Sequence, residues 1–525
     1  MGLVLGACGQ ERAPAPPFHP VPLGDPWYES APLVSVWTLP EEDMNRFGLD
    51  VNGVWTWWSG SDLTSLHEQG HRAMISMEVI NMDRAEYPKL IPGLSKDICG
   101  SESEVSWLQD KVTMSIQSPL IQKFLLDSTA RAIRVGVDAI FIDEIQTSAV
   151  EISLDRFGAG FGPDELNAFN QNLTTLGYPS FADYVAQIRG STFTSTELQD
   201  LFALADPAGV TPTVFFKACS NTCGKSVSQA SACTPAFYSL RKQVFKAYKA
   251  FQEDSGFAIM TDLVAQMRAM IRDSGKAVAI GANLVGLGAQ TGWSPMAAPF
   301  WTKDLDFLVC EHGVNAFPDG WDTFLLPPAG SFAPLYKLGR ALVPGFVSAF
   351  PGGALAEYWQ SLPRTQTLIE LMFSEAFAAE GNWSISYWNE EKGWPTDFLA
   401  PAGLAQYTRF VAENRGFYTG PRDRNPVAIV YTNQGVLADP DRNESYVGLA
   451  QALDRLHVQY DVLYGGDDRF WAAPIDESLL AKYHVVFLPN ANALTTEQIG
   501  VFTRRATSGA ATIALAPIDP GLSAA

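Results

Sequence analysis

Asp143 and Glu311 each follow a short apolar run, VDAIFI (Val137 to Ile142) in one case and DFLVC (Asp306 to Cys310) in the other. A buried strand that delivers a carboxylate into the next loop is how a barrel enzyme places an acid or a nucleophile, whereas ordinary surface carboxylates sit on solvated helix faces. Two such groups at one mouth suit acetal cleavage: one attacks or stabilises the anomeric carbon and the other protonates the departing oxygen. In that chemistry Asp143 is the expected nucleophile and Glu311 the general acid/base. Phe307 and Trp301 would supply apolar surroundings that keep an acid protonated. Glu144 competes with Asp143, because a turn after Ile142 would exchange the two. Either carboxylate alone could equally cap the next helix. Counting strands is what separates these readings.

Other residues belong to the same expected mouth. Trp55, Trp57 and Trp58 end the second strand-like run, Glu78 the third and Asn283 the fifth, while Trp388, Asn389 and Glu390 follow the eighth. Indole faces beside carboxylates and amides suit a sugar ring, whose C–H surfaces stack and whose hydroxyls need polar partners. Any one tryptophan reads equally well as core. His312 is placed to hydrogen-bond Glu311 or a hydroxyl, or simply to fill a polar niche.

The positioning elements form a counted series. Strand-like runs fall at Leu33 to Trp37, Val51 to Trp57, Ala73 to Val79, Val137 to Ile142, Ala277 to Ala282, Leu305 to Cys310, Val343 to Ala349 and Trp383 to Tyr387. Helix-like stretches lie at Pro119 to Val135, Phe237 to Asp273 with a basic face (Arg241, Lys242, Lys246, Lys249), Leu335 to Ala341, Thr365 to Ala379 and Ala402 to Asn414. Strands alternating with helices imply parallel pairing through right-handed crossovers, and eight such units close into a (β/α)8 TIM barrel of the α/β class. Asp143 then follows the fourth strand and Glu311 the sixth. Insertions at Asn81 to Ser106 and Phe157 to Pro235 are expected on the loops after strands three and four. Past the linker-like GFYTGPRDRNP, a second series (strands at Val427, Tyr460, His484 and Ala511; helices at Tyr446 and Thr496) predicts a smaller flavodoxin-like open sheet. The expected division is a tether at 1–26, a catalytic barrel at 27–420 and the open-sheet domain, incomplete at its end, at 421–525.

Composition excludes some partners. A net charge of −21 repels phosphate backbones, so nucleic acid is not an expected partner. Leu5-Gly6-Ala7-Cys8 resembles the lipobox of bacterial lipoproteins. The basic and longer apolar stretches of a full signal are missing, which points to a start further upstream. The proline-rich Glu11 to Pro26 then suits a tether. The expectation is an exported cell-envelope lipoprotein, periplasmic or at the cell surface, whose membrane attachment is a lipid on Cys8. Cys99, Cys219, Cys223 and Cys233 are expected to form two disulfides, with a zinc site including Cys99 as the rival; Cys310 reads as a buried free thiol. No Gly-x-Ser-x-Gly elbow, phosphate loop or His-Glu-x-x-His helix is present. Asp439 to Asn443 imitates the start of a calcium loop but lacks its glycine and closing glutamate, and reads as a turn. Neither a metal nor an organic cofactor is expected.

The segments GVDAIFIDE, DFLVCEHG and AIVYTNQ…YVGLAQALDRLHVQYDVLY…YHVVFLPNA resemble bacterial glycoside hydrolases that join a (β/α)8 barrel to a β-galactosidase trimerisation-like domain. The resemblance is diffuse and spans roughly residues 30 to 515. Its barrel half is similar to the α-galactosidase-type superfamily. That resemblance implies an aspartate nucleophile after strand four and an acid/base after strand six, the places of Asp143 and Glu311. The superfamily commonly has aspartate as acid/base, so Glu311 departs from the pattern. Clan-A β-glycosidases, true β-galactosidases among them, instead place a glutamate nucleophile after strand seven, where this chain has Val347-Ser348-Ala349-Phe350. The implied activity is hydrolysis of an oligo- or polysaccharide. The alternative is a carbohydrate-binding surface lipoprotein without catalysis. The second domain implies a homo-oligomer.

Overall fold

A computed structural model describes residues 27–30, 34–37, 48, 51–56, 63–78, 81–83, 88–102, 111–143, 159–219, 233–283, 305–312, 330, 332–351, 365–385, 401–418, 425–432, 441–465, 475–489 and 494–515. The strands are β1 (Val34–Trp37), β2 (Gly53–Thr56), β3 (Arg72–Glu78), β4 (Asn81–Asp83), β5 (Lys111–Thr113), β6 (Ala139–Asp143), β7 (Ala279–Asn283), β8 (Phe307–His312), β9 (Val347–Pro351), β10 (Asn382–Ile385), β11 (Val427–Thr432), β12 (Tyr460–Gly465), β13 (Val485–Leu488) and β14 (Thr512–Leu515). Eight of them close into one parallel barrel in the order β1-β10-β9-β8-β7-β6-β3-β2. The fold is a TIM barrel, and β6 and β8 are its fourth and sixth strands.

Strand alternation explains the apolar runs. Ile140 and Ile142 on β6, and Leu308 and Cys310 on β8, join the large core between the sheet and its helices. Ala139, Phe141, Phe307 and Val309 fill the barrel's interior with Trp55, Met74, Ala279 and Phe346. Both faces are therefore dry, so the strands read as unbroken apolar stretches. Gly281 on β7 makes room for this filling: a Cβ there would collide with the Phe307 ring. Trp27, ahead of β1, joins the interior beside Phe346, and the Arg72 guanidinium lies 4.8 Å from the centre of its ring.

Between β3 and β6 the chain makes the antiparallel hairpin β4–β5 before the Pro119–Val135 helix. Between β6 and β7 it forms a helical insertion, and then the Pro235–Ser274 helix of 40 residues. The basic face expected on that helix is interrupted, since Arg241 is buried and donates to the carbonyl of Phe216, while Lys242 and Lys246 are exposed. The insertion has its own aromatic core, including Phe161, Phe169, Phe181, Phe215, Phe216 and Tyr248. Cys219 and Cys233 are disulfide-bonded across it. Cys99 is also in a disulfide and Cys310 is a buried free thiol, so the zinc alternative is not met.

The C-terminal sheet is wholly parallel, in the order β12-β11-β13-β14. Asp441 to Asn443, read from sequence as a turn, begin the Asp441–Arg455 helix instead. The linker-like stretch likewise opens as a helical turn, Arg415–Tyr418. No described helix is long and apolar enough to cross a membrane.

Candidate active site at the barrel mouth

Two aspartates at the opposite ends of the same strands set the height of Asp143 and Glu311. Asp138, just before β6, accepts from the backbone N–H of Ala73 at 2.8 Å and pairs with Arg72 at 3.0 Å and with the His67 ring at 2.8 Å. Asp306, just before β8, accepts from the N–H of Ile280 at 2.8 Å and pairs with Arg268 at 2.8 Å. Each aspartate thus ties its strand to the preceding one, and each precedes a candidate carboxylate by five residues. A one-residue slip would turn every side chain of the strand to the other face, so these ties protect the inward set.

The same alternation can be counted along the backbone to the strand ends. Asp143 shares the parity of Ala139 and Phe141, and Glu311 that of Phe307 and Val309. On β3, Glu78 shares the parity of Met74, and on β7, Asn283 that of Ala279. Register puts Glu78 opposite Asp143, and Asn283 opposite Val309, two residues short of Glu311. Four adjacent strands, β3, β6, β7 and β8, therefore carry Glu78, Asp143, Asn283 and Glu311 at lumen-parity positions of their C-terminal ends. Asn283 is buried. His312 falls in the opposite parity, with Leu308 and Cys310, and pairs in register with Pro351. The sixth strand runs two residues beyond its expected end at Cys310, so that Glu311 and His312 are strand residues.

Trp55 does not present a face to the mouth. It is fully buried in the interior, against Phe141 and Phe307, and its indole N–H donates to Ser35 at 3.1 Å. Ser35, Ser384 and Ser348 form a chain of hydroxyls at 2.5 and 3.0 Å across β1, β10 and β9. Its expected place in substrate binding gives way to a packing position, because its ring is enclosed by Phe141 and Phe307 and its N–H is taken up by Ser35. Glu144, Trp57, Trp58, Trp388 and Glu390, with Trp301 and Asn389, lie outside the described residues. The seventh strand, β9, carries no carboxylate. Among the described residues, no group of three or more His, Cys, Asp or Glu is arranged to hold a metal.

The clamping aspartates were not picked out from sequence, although the signal is present: Asp-x4-Asp in VDAIFID and Asp-x4-Glu in DFLVCE. The helix starts of the insertion are also legible in retrospect. Thr211-Pro212 and Thr234-Pro235 place a capping hydroxyl before a first-turn proline, and each threonine accepts from an N–H three residues on.

No family model matches the chain, and no curated protein matches it. Among solved structures, it is similar to a catalytic mutant of Gan42B, a GH42 β-galactosidase from G. stearothermophilus, with a TM-score of 0.55 at 12% identity over 93% of this chain and 72% of that one. A β-galactosidase from the psychrophilic Marinomonas ef1 aligns with a TM-score of 0.53 at 12% identity, over 92% of this chain and 75% of its own. One from Bacillus circulans sp. alkalophilus gives 0.53 at 13%, over 88% and 67%. These likenesses are distant and show a shared fold, a barrel followed by a smaller domain.

Proposed function

We propose that this chain is a glycoside hydrolase acting on an oligo- or polysaccharide, with Asp143 as nucleophile and Glu311 as general acid/base. The observation that carries the reading is the register: carboxylate-bearing positions of β3, β6 and β8 share lumen parity at one end of a closed barrel, the end at which such barrels build their sites. β6 and β8 are separated by one strand, hence about 10 Å between their axes. Carboxylates carried at that strand spacing suit a pair that brackets a glycosidic bond. Glu78, beside Asp143, and Asn283, between the two strands, are suited to hydroxyls of the bound sugar.

The positions after strands four and six follow the α-galactosidase-type pattern, whereas a glutamate at the second of them departs from it. The solved β-galactosidases that share the fold lend no residue assignment at this distance, and β9 offers no carboxylate for a nucleophile after strand seven. The Cys219–Cys233 disulfide supports an exported protein, since such bonds persist in oxidising compartments. Lipid attachment at Cys8 and self-association through the C-terminal sheet belong to the same proposal. Radiolabelled palmitate incorporation would check the first and sedimentation the second.

The test is kinetic. On a glycan panel, Asp143→Asn is expected to abolish hydrolysis while retaining binding. Glu311→Gln is expected to lower kcat by about 10²–10⁴-fold on natural linkages, and much less on aryl glycosides whose leaving group needs no proton. Wild-type protein that binds glycans but cleaves none of them would shift the function to carbohydrate binding. Equal loss of both kinds of substrate in Glu311→Gln would remove Glu311 from the acid role.

A further inference from the structure

The two excursions that leave the barrel after β3 and β6 meet at a carboxyl group fully enclosed by protein. Glu165 lies in the first turn of the Pro163–Thr175 helix and has no solvent exposure. Three segments surround it. The 93–118 stretch brings Ser95, Ser115 and the carbonyl of Leu94, the insertion brings Gly160 and Gly162, and the long helix brings Tyr248 and Gln252.

This carboxyl faces a carbonyl oxygen together with two serine hydroxyls. A Cβ on Gly162 would collide with Glu165 Oε2 while lying 3.0 Å from the Leu94 carbonyl oxygen, so these two oxygens crowd one small space. The Ser95 and Ser115 hydroxyls and the Glu165 backbone N–H face the carboxyl, but none of them closes a well-formed hydrogen bond to either oxygen. Ser95 Oγ already accepts from the N–H of Gly160 at 2.7 Å. Tyr248 donates its hydroxyl proton to the Gly160 carbonyl, and Gln252 donates to the Glu165 backbone carbonyl at 3.2 Å. The ionisable groups bearing on Glu165 are Asp164 on its own helix and Tyr248 on the long helix; Ser95 and Ser115 are the polar side chains facing it from the 93–118 stretch. Among the described residues no cation acts on it. An ionised carboxylate here would have lost its water without gaining a counter-charge, which is costly.

We infer that Glu165 is held as the neutral acid, its proton filling the space between acceptors, and that the seam joining the two mouth excursions is a pH-sensitive clasp. Burial raises the affinity of this group for its proton, with Asp164 adding to the effect and the serine hydroxyls opposing it. The direction of the dependence follows. The folded group binds its proton more tightly than the unfolded one, so the clasp is fully closed below the ordinary carboxylate range. It weakens as pH rises through the interval between the free and the raised value, and opens by up to about tenfold per pH unit within it. Acid closes it and base loosens it. Because the excursions spring from the strands that carry Glu78 and Asp143, the clasp would set how firmly the mouth is walled.

The experiment is hydrogen exchange of the 93–118 and 159–190 segments in the intact protein between pH 5 and 9, corrected for intrinsic exchange chemistry, in wild type and in Glu165→Gln. Glu165→Gln keeps the shape without the titration. The expected result is protection in the wild type that falls with rising pH, and a flat, higher protection above neutrality in Glu165→Gln. Where Glu165→Gln does not fold, the wild type alone decides, because a flat profile overturns the inference. An unchanged slope in Glu165→Gln overturns it too. Protection raised by added sodium, potassium, magnesium or calcium chloride in the wild type, and not in Glu165→Gln, would mean a charged carboxylate holding an ion, and would likewise overturn it. This readout is independent of hydrolysis, so it stands or fails apart from the proposed function.

Discussion

At the scale of single residues, the molecule carries carboxylates at both ends of the same two strands. Asp138 and Asp306 are buried and answered by backbone N–H groups and cations, and their work is registration. Asp143 and Glu311, five residues on, take the opposite parity at the open end. Asp306→Ala should therefore leave the N–H of Ile280 unanswered and cost about 1–3 kcal/mol, read as a lowered denaturant midpoint. An unchanged midpoint would show that the β7–β8 register does not depend on Asp306. The places of Asp143 and Glu311 at the ends of the fourth and sixth strands were legible in the sequence because their neighbours are so apolar that a carboxylate stands out. Asp138 and Asp306 were not, because a polar residue at a strand start carries no local mark of its partner. Trp55 misled for a related reason: residue type predicts stacking on sugar and stacking on Phe141 equally well.

At the scale of elements, the interior of the barrel depends on a size exchange between neighbouring strands. Gly281 on β7 yields its volume to Phe307 on β8, whose ring stacks on Phe346 at 4.6 Å between centres. The Gly281→Ala change adds one methyl where no space exists. Overpacking of this kind costs about 1–3 kcal/mol or more, so the melting temperature should fall by several degrees. A variant as stable as wild type would mean that Phe307 has another rotamer available. The eight strands and their order were readable because parallel strands in a two-sided sandwich leave long apolar runs. The helices inside the 159–219 insertion were less so, since their cores are aromatic rather than periodic, and Phe169, Phe181 and Phe215 meet only once the insertion has folded.

At the scale of the whole molecule, the C-terminal sheet is packed as a wall of the barrel. Tyr446 donates its hydroxyl to the carbonyl of Pro334 at 2.7 Å, and Lys337 on the Ala333–Leu342 helix reaches toward the Tyr460 ring at 5.7 Å. Lys337 is buried, with Glu380 at 3.6 Å. A chain ending at residue 420 would expose this helix face, and is expected to be destabilised and to self-associate, as sedimentation would show. A monodisperse, fully active 1–420 protein would contradict this. The contact was invisible in the sequence because Lys337 reads as a solvated helix position. Its burial comes from β12, more than a hundred residues away.

The Pro235–Ser274 helix links these scales. Its first half belongs to the aromatic core of the insertion, through Val244 and Tyr248, and its second half to the barrel wall, through Met260, Leu263, Val264, Met267 and Ile271. One unbroken rod of about 60 Å therefore carries the insertion. Such a cantilever has a rotational phase as well as a length. Deleting a single residue between its two anchors would swing the insertion by about 100° around the axis, whereas losing seven would bring it back to within about 20° of its original heading. Length variation in this rod is thus quantised in near-whole turns, and the orientation of the insertion is stored in the count of residues between Tyr248 and Met260.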